Sequence, residues 1–225
     1  NNLLSAINGS ATLIGLSKEL PDGLRIHLER IMAAGVETAR LVSRLLDLGQ
    51  TGDGEAVFDL PSVLNSLPSL MGSNLPAAVA LEVEGTGSDM VLRGNSGTLS
   101  RILVNLVLNA RDAIGEDGGR IALCAERIRG ADIDAPINAK LDPAGQYAQI
   151  TVADTGRGMA PEVAANAFRP YFTTKGRQGT GLGLATAQLQ IQSVGGAIAL
   201  DSDPVKGTEI TLYWPLALSG PETDR

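Results

Sequence analysis
The stretch Ser96–Gly115, SGTLSRILVNLVLNARDAIG, decides the fold. Its apolar residues Leu99, Ile102, Leu103, Leu106, Val107, Ala110, Ala113 and Ile114 recur at i, i+3, i+4 and i+7, the spacing of one helix face. The pattern predicts a long helix over 96–115 with that face on a core. Asn105, Asn109 and Asp112 are 4 and 3 residues apart, so they fall on one side, at the margin of the apolar stripe. Such a row of carboxamides and a carboxylate suits a hydrated Mg2+ ion, which takes oxygen ligands, keeps several waters and binds substrate phosphates at the same time. An ordinary solvated polar face is the competing reading.

Outward from this helix the signals alternate between strand and helix. Residues 77–84, 120–127 (RIALCAER), 147–154 (YAQITVAD), 196–202 (GAIALDS) and 208–214 (TEITLYW) read as strands from alternation and β-branched content. Residues 181–194 read as a helix, and 128–146 as a loop or hairpin excursion. Upstream, residues 1–49 read as two helices joined at Leu20-Pro21-Asp22-Gly23, a turn signal. Leu4, Ile7, Ala11 and Ile14 line the first, and Leu28, Ile31, Gly35, Thr38, Val42 and Leu45 the second. Their combined apolar face is too wide for two helices to cover, so a dimeric four-helix bundle through residues 1–50 is expected. The first helix is shorter than the second, which reads as a chain that starts inside a helix. Residues 50–57, QTGDGEAV, form a polar linker, and the tail 218–225 is polar.

Composition narrows the function. The 225 residues carry a net charge of −7, 27 glycines, one cysteine (Cys124) and one histidine (His27). One cysteine and one histidine exclude an internal disulfide and a cysteine- or histidine-rich metal centre. Cys124, inside IALCA, reads as a buried, inert thiol. The acidic balance argues against nucleic-acid binding. No run of 18 apolar residues marks a membrane span, and NNLLSAINGS lacks the basic start of a signal peptide. A cytoplasmic setting fits.

Three further segments bear on chemistry. Asp154-Thr155-Gly156-Arg157-Gly158-Met159 ends an apolar strand; its carboxylate suits an exocyclic amine such as that of adenine, and its glycines allow close backbone approach. A plain strand-ending turn is the alternative. Phe168-Arg169-Pro170-Tyr171-Phe172-Thr173-Thr174-Lys175 gathers three of the seven aromatic residues of the chain; it suits either a lid anchor or a small satellite core. Gly179-Thr180-Gly181-Leu182-Gly183-Leu184 precedes a helix, where free N–H groups and the dipole favour phosphate. It is neither a Walker A loop nor the dinucleotide fingerprint.

In this order the four segments resemble the N, G1, F and G2 boxes of the histidine-kinase catalytic domain, within the superfamily that includes gyrase and MutL. The resemblance covers residues 58–215, and GG-x-I-x-L-x-S at 195–202 with Gly207-Thr208 and Pro215 is similar to that domain's last strands. The implied architecture is an all-α helical hairpin over 1–50 followed, over 58–217, by a two-layer α/β sandwich of the Bergerat type.

The resemblance also implies roles. Asn109 is the Mg2+ ligand, with Asn105 near the phosphates. Asp154 binds the adenine amine, in a pocket shaped by Gly156, Gly158 and Met159 and supported through water by Thr208. Gly179, Thr180, Gly181, Leu182, Gly183 and Leu184 carry the lid across the phosphates, and Phe172, Thr174, Lys175 and Arg177 flank it. Lys175 joins Asn105 and Asn109 among the catalytic residues. Asp112 departs from the basic residue that many such kinases have there.

The string N-A-R-D-A and the start Asn1-Asn2-Leu3-Leu4 are similar to a hybrid-kinase branch that reads H-D-F-N-N-L-L. On that match the phosphoacceptor histidine precedes Asn1, Asn2 is a candidate for orienting water in dephosphorylation, and His27 is a surface residue. The implied function is an ATP- and Mg2+-dependent protein-histidine kinase core, homodimeric, that passes phosphate to a receiver-domain aspartate. The alternatives are a nucleotide-binding module without autokinase activity and another enzyme of the superfamily. Its ATPases carry a glutamate base where this chain has Asn105, which speaks against hydrolysis to water.

Overall fold
The computed structural model describes residues 56–84, 90–135, 139–175 and 181–217. The expected hairpin over 1–50, with Asn2 and His27, and the tail 218–225 lie outside the described residues. The chain divides into two compact units, one of Asn1–Gly54 with Ala167–Ala185 and one of Glu55–Asn166 with Thr186–Arg225.

The second unit is built on a five-stranded sheet. In chain order its elements are β1 (Val57–Asp59), α1 (Leu60–Met71), β2 (Val79–Glu84), β3 (Val91–Arg93), α2 (Ser96–Ile114), β4 (Gly119–Arg129), β5 (Gln146–Asp154), α3 (Pro161–Ala164), then α4 (Gly183–Ser193), which begins in the other unit, β6 (Ala197–Asp203) and β7 (Gly207–Pro215). The sheet order is β2-β4-β5-β7-β6. β2 and β4 run parallel, and every other neighbouring pair is antiparallel.

The predicted helix forms as α2. Its start is fixed by Asn95, whose side chain accepts from the Thr98 N–H at 3.2 Å, satisfying one of the donors that a helix N-terminus leaves unpaired. Leu99, Ile102, Leu103, Leu106, Val107, Ala110 and Ile114 are all buried, as the spacing requires. The helix packs on β4, β5 and β7, where Ile121, Leu123, Ile150, Val152, Ile210 and Leu212 face it at every second position. This is the two-layer sandwich expected for the domain.

α1 has no counterpart in the sequence reading. Two prolines and three serines in LPSVLNSLPSLM hide its periodicity. Asp59 nevertheless caps it, accepting from Ser62 N at 2.9 Å and Ser62 Oγ at 2.7 Å, and Leu60, Val63, Leu64, Leu67 and Met71 are buried. β1 and β3 form a separate antiparallel pair, joined to the main sheet by Trp214. The Trp214 indole N–H donates to Arg93 O at 2.7 Å, and its ring meets Phe58 edge-on with centroids 6.0 Å apart.

The opposite sheet face corrects one expectation and sharpens another. Cys124 is exposed, not buried. In a strand the side chains alternate; Ile121, Leu123 and Ala125 take the inner face, so Cys124 takes the outer one. Residues 128–135 and 139–146 pack as a flap. Gly130 N donates to Gly145 O at 2.9 Å at its neck, and Ile128, Ile133, Ala135, Ala139 and Leu141 cover Tyr147, Tyr213, Ala197 and Ala199.

Candidate nucleotide site
Strand register assembles the site. Asp154 at the end of β5 stands opposite Thr208 of β7, and Thr208 stands opposite Ser202 of β6. The three side chains therefore form one row across three strands on the helix-covered face. Asp154 Oδ1 accepts from Gly156 N at 2.8 Å and from Thr208 N at 3.3 Å, which leaves Oδ2 to an incoming donor. Burial pushes the Asp154 carboxyl above its ordinary value, and the two backbone N–H groups pull part of that rise back. Desolvation disfavours the charged form, and hydrogen bonds to that form favour it.

Gly156 and Gly158 have no room for side chains. A Cβ on Gly156 would lie 2.6 Å from the carbonyl carbon of Ala113 and 2.8 Å from Ile114 N, both on the last turn of α2. The neighbouring Arg157 N donates to Ala113 O at 3.1 Å, tying the same loop to the same turn. Gly158 has φ +58°, and a Cβ there would overlap the Asp203 carbonyl. Both glycines are thus needed for close packing of the loop on the chain's own backbone, at Ala113 and Asp203. Met159 follows, its N–H donating to Ser202 Oγ at 2.9 Å.

On α2, Asn105 and Asn109 are half-buried and Asp112 is exposed. The Asn105 Nδ2 is buried and has no hydrogen-bond partner. Such an orphan donor is costly unless an acceptor comes to it, and a phosphate oxygen or a held water meets that need. Asp112 is engaged by Arg111, whose Nε and Nη2 lie 2.9 and 2.6 Å from Oδ1, while Nη1 donates to Asn74 O at 3.0 Å. The Arg111 guanidinium therefore puts a positive charge beside the position where a carboxylate departs from the family pattern. The sequence reading left Arg111 out. Among the described residues no group of three or more His, Cys, Asp or Glu side chains forms a metal cage.

The F and G2 segments belong to the other unit. Tyr171 is buried there and has φ +66°, a left-handed conformation that is an outlier for a bulky residue. Its N–H donates to Gly181 O at 2.8 Å, and a Cβ on Gly181 would overlap the Tyr171 backbone. The F and G2 segments are thereby tied together at this point. Lys175 N donates to Thr173 Oγ1 at 3.1 Å. Phe172 and Leu182 are half-buried, and Thr174 is exposed. Gly183 and Leu184 open α4. Arg177, Gly179 and Thr180 lie outside the described residues. No described helix is long and apolar enough to cross a membrane.

An amide-bearing helix packed on one face of a mixed sheet, with a carboxylate at the end of β5, makes an α/β sandwich. Residues 94–218 match the family described as histidine kinase-, DNA gyrase B-, and HSP90-like ATPase. The chain belongs to this family. Over 227 aligned residues it is 33% identical to the sensor kinase CckA of Brucella abortus (strain 2308), covering 100% of this chain and 24% of that protein. It is 30% identical to the sensor histidine kinase ZraS of Escherichia coli (strain K12), covering 97% of this chain and 43% of that protein. The chain thus spans less than half the length of these relatives. Its fold is also that of full-length ShkA in complex with AMPPNP, at a TM-score of 0.59 and 24% identity, over 97% of this chain and 44% of that one.

Proposed function
We propose that this chain is the ATP-binding phosphotransfer core of a sensor histidine kinase, working in the cytoplasm as a homodimer through residues 1–50. The observation that carries the reading is the pairing of two groups that each want a ligand. Asp154 presents an acceptor in a buried row, and Asn105 holds a buried donor with no partner. Asp154 Oδ2 accepts from the adenine amine, in a pocket shaped by the close-packed loop at Gly156 and Gly158. Asn105 Nδ2 donates to a phosphate oxygen. Asn109 offers its carboxamide oxygen to Mg2+, and the lid residues Lys175, Arg177, Gly179, Thr180, Gly181, Leu182, Gly183 and Leu184 cover the phosphates. Mg2+, when bound, supplies positive charge that offsets the charge of the triphosphate.

Transfer breaks the bond between the γ-phosphorus and its bridging oxygen, releases ADP and forms a phosphorus–nitrogen bond on a histidine of the dimerisation hairpin. The phosphoryl group then passes to a receiver-domain aspartate. Such a transfer is catalysed mainly by positioning and charge neutralisation. Asn2 orients water for the opposing activity, hydrolysis of the receiver's phosphoaspartate to aspartate and inorganic phosphate.

Calorimetric titration with Mg·ATP tests the reading. Wild type binds, Asn109→Ala binds at least about ten-fold more weakly, as expected when an interaction with a charged group is lost, and an unchanged affinity in that variant would sink the assignment. Incubation of a longer chain with radiolabelled ATP gives acid-labile, base-stable label; label that disappears with His27→Ala would move the acceptor to His27. Binding without label would leave a nucleotide-sensing module.

A further inference from the structure
Asp112 is an anion on the amide-bearing side of α2, where a triphosphate has to be accommodated. It follows Asn105 and Asn109 at spacings of 4 and 3, so it leaves the helix on the side of the two carboxamides, one turn beyond Asn109. It also stands in the last turn of α2, where the helix dipole is negative and a carboxylate is disfavoured. Two negative potentials therefore meet at Asp112.

Arg111 answers both. Its Nε and Nη2 donate to one oxygen, Asp112 Oδ1, at 2.9 and 2.6 Å, and its Nη1 donates to Asn74 O at 3.0 Å. Asn74 ends the short helical turn Gly72–Asn74 that follows α1. This third contact separates the pair from an ordinary surface ion pair. Exposed pairs contribute little because two long side chains must be held in one geometry. Here the acidic side chain is short, and the guanidinium is held by the backbone of another element. Successive residues on a helix stand about 100° apart, so Arg111 draws Oδ1 round toward the flank that meets Asn74, away from the row of carboxamides.

We propose that Arg111 is a positioning residue that holds the Asp112 carboxylate off the amide row and cancels its charge, so that the phosphate end of the site admits a triphosphate beside an aspartate. This rests on the ATP reading above and extends it to the charge balance that sets phosphate affinity. Arg111 acts through Asp112 and touches no phosphate. A carboxylate released toward the row comes within a Debye length of the phosphates, where salt screens little of the repulsion, and the repulsion grows with the charge of the nucleotide.

The test measures binding of Mg·ATP and Mg·ADP by calorimetry, at low and high salt. The proteins are wild type, Arg111→Gln, Arg111→Lys, Asp112→Asn and the Arg111→Gln/Asp112→Asn double variant. Arg111→Gln should weaken Mg·ATP about five- to ten-fold at low salt. Mg·ADP should lose less, and both losses should shrink at high salt. Arg111→Lys keeps the charge and should recover part of the loss. Asp112→Asn should bind Mg·ATP at least as tightly as wild type. The double variant decides: with the carboxylate gone, the loss caused by Arg111→Gln should disappear and wild-type affinity return. A double variant as weak as Arg111→Gln would overturn the proposal and make Arg111 a direct phosphate ligand or a plain brace for Asn74. An unchanged affinity in Arg111→Gln would overturn it too, as would equal, salt-independent losses for both nucleotides. Should Arg111→Gln fail to fold, Asp112→Asn decides alone, and weaker Mg·ATP binding than wild type overturns the proposal. Wild type that binds neither nucleotide overturns the ATP reading and this inference together, whereas binding with an unrestored double variant overturns only the inference.

Discussion

At the scale of single residues, Asp154 holds an ionisable group where burial opposes its charge. A carboxyl raised in the folded state binds its proton more readily folded than unfolded. Its penalty is therefore absent below the ordinary carboxylate value and fully present above the raised one. Asp154→Asn keeps an acceptor for Gly156 and Thr208 but carries no charge. Its apo form should melt no lower than wild type at neutral pH, and the gap should close on acidification through that window, as differential scanning calorimetry across pH would record. The same variant turns an amide N–H₂ toward the base amine and should lose ATP affinity about ten- to a hundred-fold. A stabler apo protein that binds worse is the signature of a site residue rather than a core residue. Cys124 allows a second test. Its exposure means that a disulfide reagent should label the native protein without denaturant, while partial burial and the nearby Glu126 push its thiol up and hold back the reactive thiolate. The rate should keep rising at pH values where an ordinary thiol has already levelled off.

At the scale of elements, the junction of the 155–159 loop with α2 is the tightest joint of the site. Gly156→Ala forces a methyl against the Ala113 carbonyl. Overpacking of this kind costs about 1–3 kcal/mol, to be read from denaturant unfolding, and should shift the loop from the base. Loss of nucleotide affinity without loss of stability would mean that the loop moves more freely than this packing allows. The same elements mark what could be read from the sequence. α2 was legible because its apolar period runs unbroken from Leu99 to Ile114, and the five strands of the main sheet were legible from alternation and β-branched content, whereas β1 and β3, three residues each, were not read. α1 was illegible because Pro61, Pro68 and its serines break the pattern, and tertiary packing of Leu60, Leu64 and Leu67 overrides weak propensity. Of the site, Asp154, Gly156 and Gly158 were legible as a local string. Ser202 was not, because its partners Met159 and Thr208 lie 43 and 6 residues away, and only the register of β6 on β7 brings them to it. Cys124 misled because apolar neighbours in sequence stood in for neighbours in space.

At the scale of the whole molecule, Trp214 is the sole tryptophan and fully buried, so its emission reports unfolding of the sandwich. Trp214→Phe removes the hydrogen bond to Arg93 O and shrinks a fully buried ring; at least about 1 kcal/mol should be lost, the order of one hydrogen bond. Mg·ATP at a hundred times its dissociation constant should add about 2.7 kcal/mol to wild-type stability and much less to Asn109→Ala, a comparison open to thermal-shift measurement. The sheet order has one more result. β7 lies between β5 and β6, yet it is the last strand of the domain in the chain. On the ribosome, Asn105, Asn109 and Asp154 all emerge before the strand that carries Thr208 and Trp214. A nascent chain stopped before Gly207 can form α2 and still has no closed base pocket. The proposed nucleotide site is therefore completed only when synthesis of the domain is nearly done, and a protein truncated within β7 should be born unable to bind, however intact its asparagines.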